Sequence, residues 1–255
     1  MKQVEEPPVC SLLGIKVHGL TMTELHALIK NAVDNQRQYI IGHHNLHSLY
    51  IYHHEPEMRD FYREADYIHV DGMSLVLLAQ LLGLPLQRKH RVTYVDWVRP
   101  LMNEAARQGW RIFFLGSRPG VAANAALILR EETPGLQLKT MHGYFDADVQ
   151  SSANREVLQY INTYNPHILM IGMGMPRQER WVLNNAHAIN ANVILTAGAC
   201  MDYVANALPT PPRWMGQLGL EWLFRLFSEP RRLWRRYLLE PWFILKLLMR
   251  EVLKK

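Results

Sequence analysis

Six short apolar runs, spaced along the chain with longer amphipathic stretches between them, constrain the fold more than any other feature. They are Tyr39–Ile41, Tyr67–Val70, Arg111–Leu115, Leu136–Thr140, Ile168–Ile171 and Val193–Thr196. Most lack polar alternation, as strands covered on both faces do. Strands that alternate with helices make a mostly parallel sheet, because each return to the same edge needs a crossover helix. The expected class is therefore α/β, Rossmann-like, with helices on both faces. Helix starts are also marked. Thr21 and Glu24 form a capping-box pattern for a helix to about Asn35. Arg118-Pro119-Gly120 opens another helix, and Pro176 stands where proline is accepted at a helix start.

The pattern changes near Pro209–Arg213. Beyond it the sequence reads as helix only, broken by Pro230 and Pro241. We expect an α/β domain over 1–207 and a helical, basic and aromatic appendage over 208–255. Charge follows the same division. Residues 221–255 hold nine Lys or Arg against four Asp or Glu, while the other 220 residues balance at 19 of each. A neutral body with a basic, aromatic tail argues against a broad nucleic-acid face and for a local anionic partner. Arg225, Arg231, Arg232, Arg235 and Arg236 fall within twelve residues, beside Trp234 and Tyr237. Arginine forks suit phosphate oxygens, and the aromatic rings suit a membrane interface. The other reading is solvated helix faces paired with Glu221, Glu229 and Glu240. No apolar run is long enough to span a bilayer. Cys10 and Cys200 form neither a metal spacing nor a disulfide framework, so a reducing cytoplasm is expected.

In an open parallel sheet, ligands bind beyond the carboxyl ends of the strands. Those ends carry Gly42-His43-His44-Asn45, Asp71-Gly72, Gly116-Ser117-Arg118, Gly172-Met173-Gly174-Met175-Pro176-Arg177-Gln178-Glu179 and Ala197-Gly198. Asp71 has two readings: the N-cap of the following helix, or a general base at the floor of a cleft. His43 and His47 have an i, i+4 spacing that could hold a metal, but no further ligand motif accompanies them, and we expect no metal and no cofactor. Glu179 either serves a helix dipole or reads sugar hydroxyls.

The blocks, in this order, resemble the WecG/TagA/CpsF glycosyltransferases, glycosyltransferase family 26, from about Leu13 to Tyr237. The matching pieces are Asn45, Asp71-Gly72, Arg91-Val92 with Asp96, Phe114-Leu115-Gly116, Gly143-Tyr144-Phe145 and Asn165-Pro166. The most specific follow: Gly172 to Trp181 (GMGMPRQERW), Asp202, Gly219 to Arg225 (GLEWLFR) and Glu229-Pro230-Arg231-Arg232. The resemblance implies inverting, metal-independent transfer of a sugar from a UDP-sugar to a polyprenyl-diphosphate-linked saccharide acceptor, in surface polysaccharide or exopolysaccharide biosynthesis. It implies a cytoplasmic protein, peripheral on the inner face of the plasma membrane. It places the base at Asp71 and the donor-diphosphate arginines at Arg225, Arg232 and Arg235. The full set expected to bind substrate is His43, Asn45, Arg91, Asp96, Gly116, Gly172, Gly174, Gln178, Glu179, Asp202, Arg225, Arg232 and Arg235.

The chain departs from the family pattern at four places. His43 replaces a common threonine, Tyr94 a glycine, Asn206 a glycine, and Thr210-Pro211-Pro212 an Arg-Ala-Pro. These positions bear on the sugar, for which the family uses glucose, N-acetylmannosamine or its uronic acid. They also motivate an alternative: a non-catalytic membrane module that binds anionic lipid or nucleotide-sugar. An apolar tail off the membrane could further drive homo-oligomer formation.

Overall fold

The computed structural model describes residues 7–212, 214–215 and 220–253, without the side chains of residues 232 and 252. All six expected strands are present: β3 (Tyr39–His44), β4 (Tyr67–Val70), β5 (Arg111–Gly116), β6 (Gln137–Met141), β7 (Ile168–Gly172) and β8 (Val193–Thr196). They form one sheet in the order β4-β3-β8-β7-β5-β6, with every pairing parallel. The side-chain period of two divides each strand between two cores. Ile112, Phe114, Ile168, Met170, Val193 and Leu195 face one side, and Phe113, Leu115, Leu169, Ile171 and Ile194 the other. Both faces are apolar because helices cover both.

On one face lie α1 (Met22–Asp34), α5 (Tyr94–Gln108), α6 (Val121–Glu132) and α9 (Cys200–Val204). On the other lie α2 (Leu46–His54), α3 (Pro56–Glu64), α4 (Met73–Leu81), α7 (Ser152–Tyr164) and α8 (Arg177–Asn185). The start signals act as read. Thr21 and Glu24 close a capping box on α1, and Gly120 caps α6. Pro176 is the N-cap of α8, one position before the first helical residue.

One element was not expected, an antiparallel hairpin of β1 (Val9–Leu12) and β2 (Ile15–His18). Its turn places Leu13 and Gly14 at φ of 50° and 96°, as the favoured two-residue hairpin turns require. The hairpin reaches the sheet edge, where His18 Nδ1 accepts from the Ile68 amide at 3.0 Å.

The C-terminal helices are α10 (Glu221–Ser228), α11 (Pro230–Trp234) and α12 (Glu240–Val252). Pro230 marks a break, as expected: α10 ends and α11 begins at it. Pro241 does not. The helical path runs on through a π-turn at Arg235–Leu239 into α12. Pro241 has no N–H for the Tyr237 carbonyl, and its ring crowds that carbonyl, so the helix widens just ahead of it instead of stopping. This segment docks on the body through an ion pair, a hydrogen bond and an apolar contact. Glu221 meets Arg91 at 2.6 Å, and Glu240 meets His47 at 2.9 Å. Ile244 joins a body core, and Phe243 packs on Tyr50 and His54.

Candidate active site

β3 and β4 place the central group. The Asp71 amide donates to the His44 carbonyl at 2.8 Å, which carries the pairing one residue past β4. The chain then turns at Gly72, whose φ of 113° only glycine adopts without strain. Gly72, not Asp71, is the N-cap of α4, and no side chain caps that helix. This corrects the capping reading of Asp71. Its carboxylate makes no hydrogen bond or ion pair among the described residues, and it faces two cavities.

The first cavity, about 370 Å³, is polar and lies beyond the ends of β3, β4, β7 and β8. His43, Asp71, Gly174, Gln178, Gly198 and Arg235 are among its lining residues. The second, about 410 Å³, is more apolar and lies between α4 and the C-terminal helices, with Met73, Leu75, Trp222, Pro241 and Ile244 in its wall. Asn45, His47, Asp71, Glu221, Arg225, Arg236 and Glu240 line both. Asp71 therefore stands at the seam between them.

Of the residues expected to bind substrate, the structure gathers His43, Asn45, Gly174, Gln178, Arg225 and Arg235 around the polar cavity with Asp71. Asn45 also caps α2, accepting from the Ser48 amide at 3.0 Å. The remaining positions support the wall. Arg91 bridges Asp96 at 3.0 Å and Glu221 at 2.6 Å, and so ties α5 to α10. Asp202 accepts from Ser117 Oγ at 2.7 Å, joining α9 to the end of β5. Gly116 and Gly172 are paired strand ends, and a Cβ on Gly116 would fall 2.3 Å from the Gly172 carbonyl oxygen. Close backbone packing requires glycine there. Glu179 is buried behind Gln178, whose Nε2 donates to it at 2.7 Å while its Oε1 accepts from the Gly198 amide at 3.2 Å. Burial raises the Glu179 pKa to about 7 against the Gln178 hydrogen bond, and Glu179 Oε2 has no partner among the described residues. The side chain of Arg232 lies outside the described residues.

His43 and His47 do not form a metal pair. An i, i+4 spacing aligns ligands only on a continuous helix, whereas His43 ends a strand and His47 begins α2. His43 Nδ1 meets Thr196, and His47 Nδ1 meets Glu240. Among the described residues, no three His, Cys, Asp or Glu side chains converge as metal ligands do.

Cations dominate one wall. Arg225 and Arg236 have no carboxylate partner within ion-pair distance among the described residues, because Glu221 and Glu240 are taken by Arg91 and His47. Burial disfavours the charged form of both. For Arg225, Tyr203, Tyr237 and Asp71 outweigh that, whereas Arg236 is held below its ordinary value. Guanidinium groups stay protonated throughout. Arg236 was missed as a site residue; the only signal was its place in the arginine cluster from Arg225 to Arg236. Glu221, Glu240 and Tyr203 also line the polar cavity without having been expected. Their sequence neighbourhoods do not say which way these side chains turn.

An open parallel sheet with a carboxylate and a wall of arginines beyond its strand ends defines an α/β protein with a polar, cation-lined cavity. Comparison with known proteins gives the particular family. Residues 10–255 match the Glycosyl transferase WecG/TagA/CpsF family. The chain belongs to this family and is a glycosyltransferase. It is similar to two N-acetylglucosaminyldiphosphoundecaprenol N-acetyl-beta-D-mannosaminyltransferases. The one from Bacillus spizizenii is 29% identical over 73% of this chain and 70% of its own length. That of Staphylococcus aureus strain MW2 is 24% identical over 88% and 86%.

Proposed function

We propose that the chain transfers a hexose-type sugar, with inversion, from a UDP-sugar to the sugar of a polyprenyl-diphosphate-linked acceptor. The observation that carries this is Asp71 at the seam of a polar and an apolar cavity, with Arg225 and Arg236 lining both. The polar cavity takes the nucleotide sugar, and the apolar one takes the first prenyl units of the acceptor. The acceptor hydroxyl oxygen attacks the anomeric carbon, and the bond from that carbon to the diphosphate oxygen breaks. Asp71 takes the hydroxyl proton. Charge growing on the departing diphosphate is met by Arg225, Arg235 and Arg236, placed before the reaction begins.

A membrane-bound acceptor fits the surface around the apolar cavity. Leu77 and Leu81 of α4 are 52% and 69% exposed. Trp242, Leu245 and Met249 of α12 are exposed as well, with Lys246 and Arg250 beside them. Apolar side chains interleaved with cations suit an anionic bilayer face. No helix among the described residues is long and apolar enough to cross a membrane. We assign this surface, within residues 208–255 and α4, to the inner face of the plasma membrane.

The relatives' named activity puts UDP-N-acetylmannosamine first among donors to try, ahead of its uronic acid and UDP-glucose. UDP release and product mass, with a short-chain polyprenyl-diphosphate N-acetylglucosamine, test the reading. Acceptor-dependent release with one donor supports it. Absence of release with every donor, from folded protein, overturns it.

A further inference from the structure

His43 has the most closely determined chemistry of the groups around the polar cavity. Its Nδ1 lies 2.8 Å from the Thr196 carbonyl oxygen and 3.0 Å from Thr196 Oγ1. A carbonyl oxygen can only accept, so Nδ1 carries the proton. Burial holds the ring neutral, opposed by Asp71 and by the Thr196 hydrogen bond. A neutral ring protonated at Nδ1 has a bare lone pair on Nε2.

That lone pair is free for a ligand. Nε2 makes no hydrogen bond to the described residues. Unlike Nε2 of His44 and both ring nitrogens of His69, it is not sealed in protein. His43 is only 5% exposed, and that exposure is to the cavity it lines. The ring is fixed on several sides. Tyr94 stands edge-on at 5.8 Å and His69 lies at 6.1 Å. The His43 amide also donates to Thr196 Oγ1 at 3.3 Å. Of the neighbouring groups, Asp71 is assigned to the proton of the acceptor hydroxyl, and the others are already used or are of the opposite kind. Gln178 Oε1 and Asn45 Oδ1 accept from backbone amides, and the arginines can only donate.

The structure assigns His43 a specificity role: its Nε2 accepts a hydrogen bond from a hydroxyl or amide N–H of the sugar being transferred. This rests on the proposed function and adds which chemical group of the donor sugar is read. A sugar lacking that group leaves a desolvated acceptor unpaired, a larger penalty than the loss of one exposed hydrogen bond.

The test compares kcat/KM for the active UDP-sugar with analogues that each lack one hydroxyl or the amide N–H. Wild type, His43→Asn and His43→Gln are measured together. Asn keeps an N–H near the Nδ1 position and leaves the Nε2 position empty, while Gln can return an acceptor to the latter. We expect wild type to reject one analogue by about 10- to 100-fold. His43→Asn should bring that ratio close to one, and His43→Gln should restore part of it. An equal loss on all donors in His43→Asn, or no rejected analogue in wild type, overturns the assignment. Should the variants fail to fold, nitrogen NMR of His43 in the wild-type chain decides instead. Its Nε2 resonance should move with the UDP-sugar and not with UDP alone, and an unmoved resonance overturns the role. Transfer with unaltered selectivity removes only the His43 role. A folded chain that neither binds nor turns over any UDP-sugar removes the functional reading and this inference with it.

Discussion

The body and the C-terminal helices supply opposite halves of the site by different physical means. On the body side, Asp71, His43 and Gln178 stand at strand or helix ends whose backbones are fixed by sheet pairing and buried cores. His43 and Gln178 are further held by hydrogen bonds to Thr196 and Gly198. On the helical side, Arg225, Arg235 and Arg236 hang from elements that meet the body through the Arg91–Glu221 ion pair, the His47–Glu240 hydrogen bond and the packing around Phe243 and Ile244. A base must be placed to within a hydrogen bond, which a sheet end does well. Charge that neutralises a diphosphate acts over a longer range and tolerates a looser mount. On the proposed reading, the reacting group and the charge-stabilising groups are carried by different parts of the fold.

The largest expected effect tests the body half. Asp71→Asn should lower turnover by about 10³-fold, within the range for removal of a general base, while leaving the melting temperature and donor binding nearly unchanged. Acceptor-dependent UDP release measures it. Turnover close to wild type would remove Asp71 from the reaction. On the helical half, Arg225→Gln should lower kcat/KM by roughly 100-fold, with Arg225→Lys recovering part of it. An equal effect on a donor-independent step, such as vesicle binding, would show that Arg225 serves the membrane surface instead.

Stability against pH separates the halves again. Burial lowers the pKa of His18 to about 4 and of His44 and His69 to about 3, with neighbouring charges adding to it. Unfolded histidine titrates near 6.5, so between pH 6.5 and 4.5 the unfolded chain binds more protons and stability falls as pH falls. Glu179, raised to about 7 by burial, works the other way over the same window and offsets one histidine. The net loss should be on the order of 2 kcal/mol per pH unit, seen as a falling melting temperature of the body. A flat profile would place these histidines in solvent. The smallest effect concerns the joint between the halves. Arg91→Met removes the partner of Glu221 and should loosen helix docking by about 1–2 kcal/mol. Faster hydrogen exchange across residues 221–252, with the sheet unchanged, would confirm the separate mounting. Uniform exchange would join the two halves into one cooperative unit.

The sheet was legible because buried parallel strands carry an unmixed apolar signal, as in Ile168–Ile171, and helix caps such as Thr21 with Glu24 are local. The β1–β2 hairpin was not, since its strands are four residues each and lack the contrast of a long run. Among the site residues, Asp71, Asn45, Gln178 and Gly174 were legible as positions near strand ends, where such a sheet binds ligands, whereas their roles came from the family resemblance. Arg91, Asp96 and Asp202 carry the same family signal, and the structure pairs them with protein groups, which the sequence did not show because an ion pair and a ligand contact look alike in one dimension.

By itself the sequence determined the class of fold, the position of the carboxylate after β4 and the gathering of arginines in the last fifth of the chain. These follow from period, turn chemistry and charge, each encoded within a few consecutive residues. Only the tertiary structure decided that Gly72 takes the cap and leaves Asp71 uncapped, that Arg236 joins Arg225 at the seam, and that His43 keeps Nε2 bare. Each depends on groups far apart in the chain, such as Thr196 against His43 and Glu240 against His47. Side-chain direction and proton placement are set by those partners, and folding alone brings them within reach.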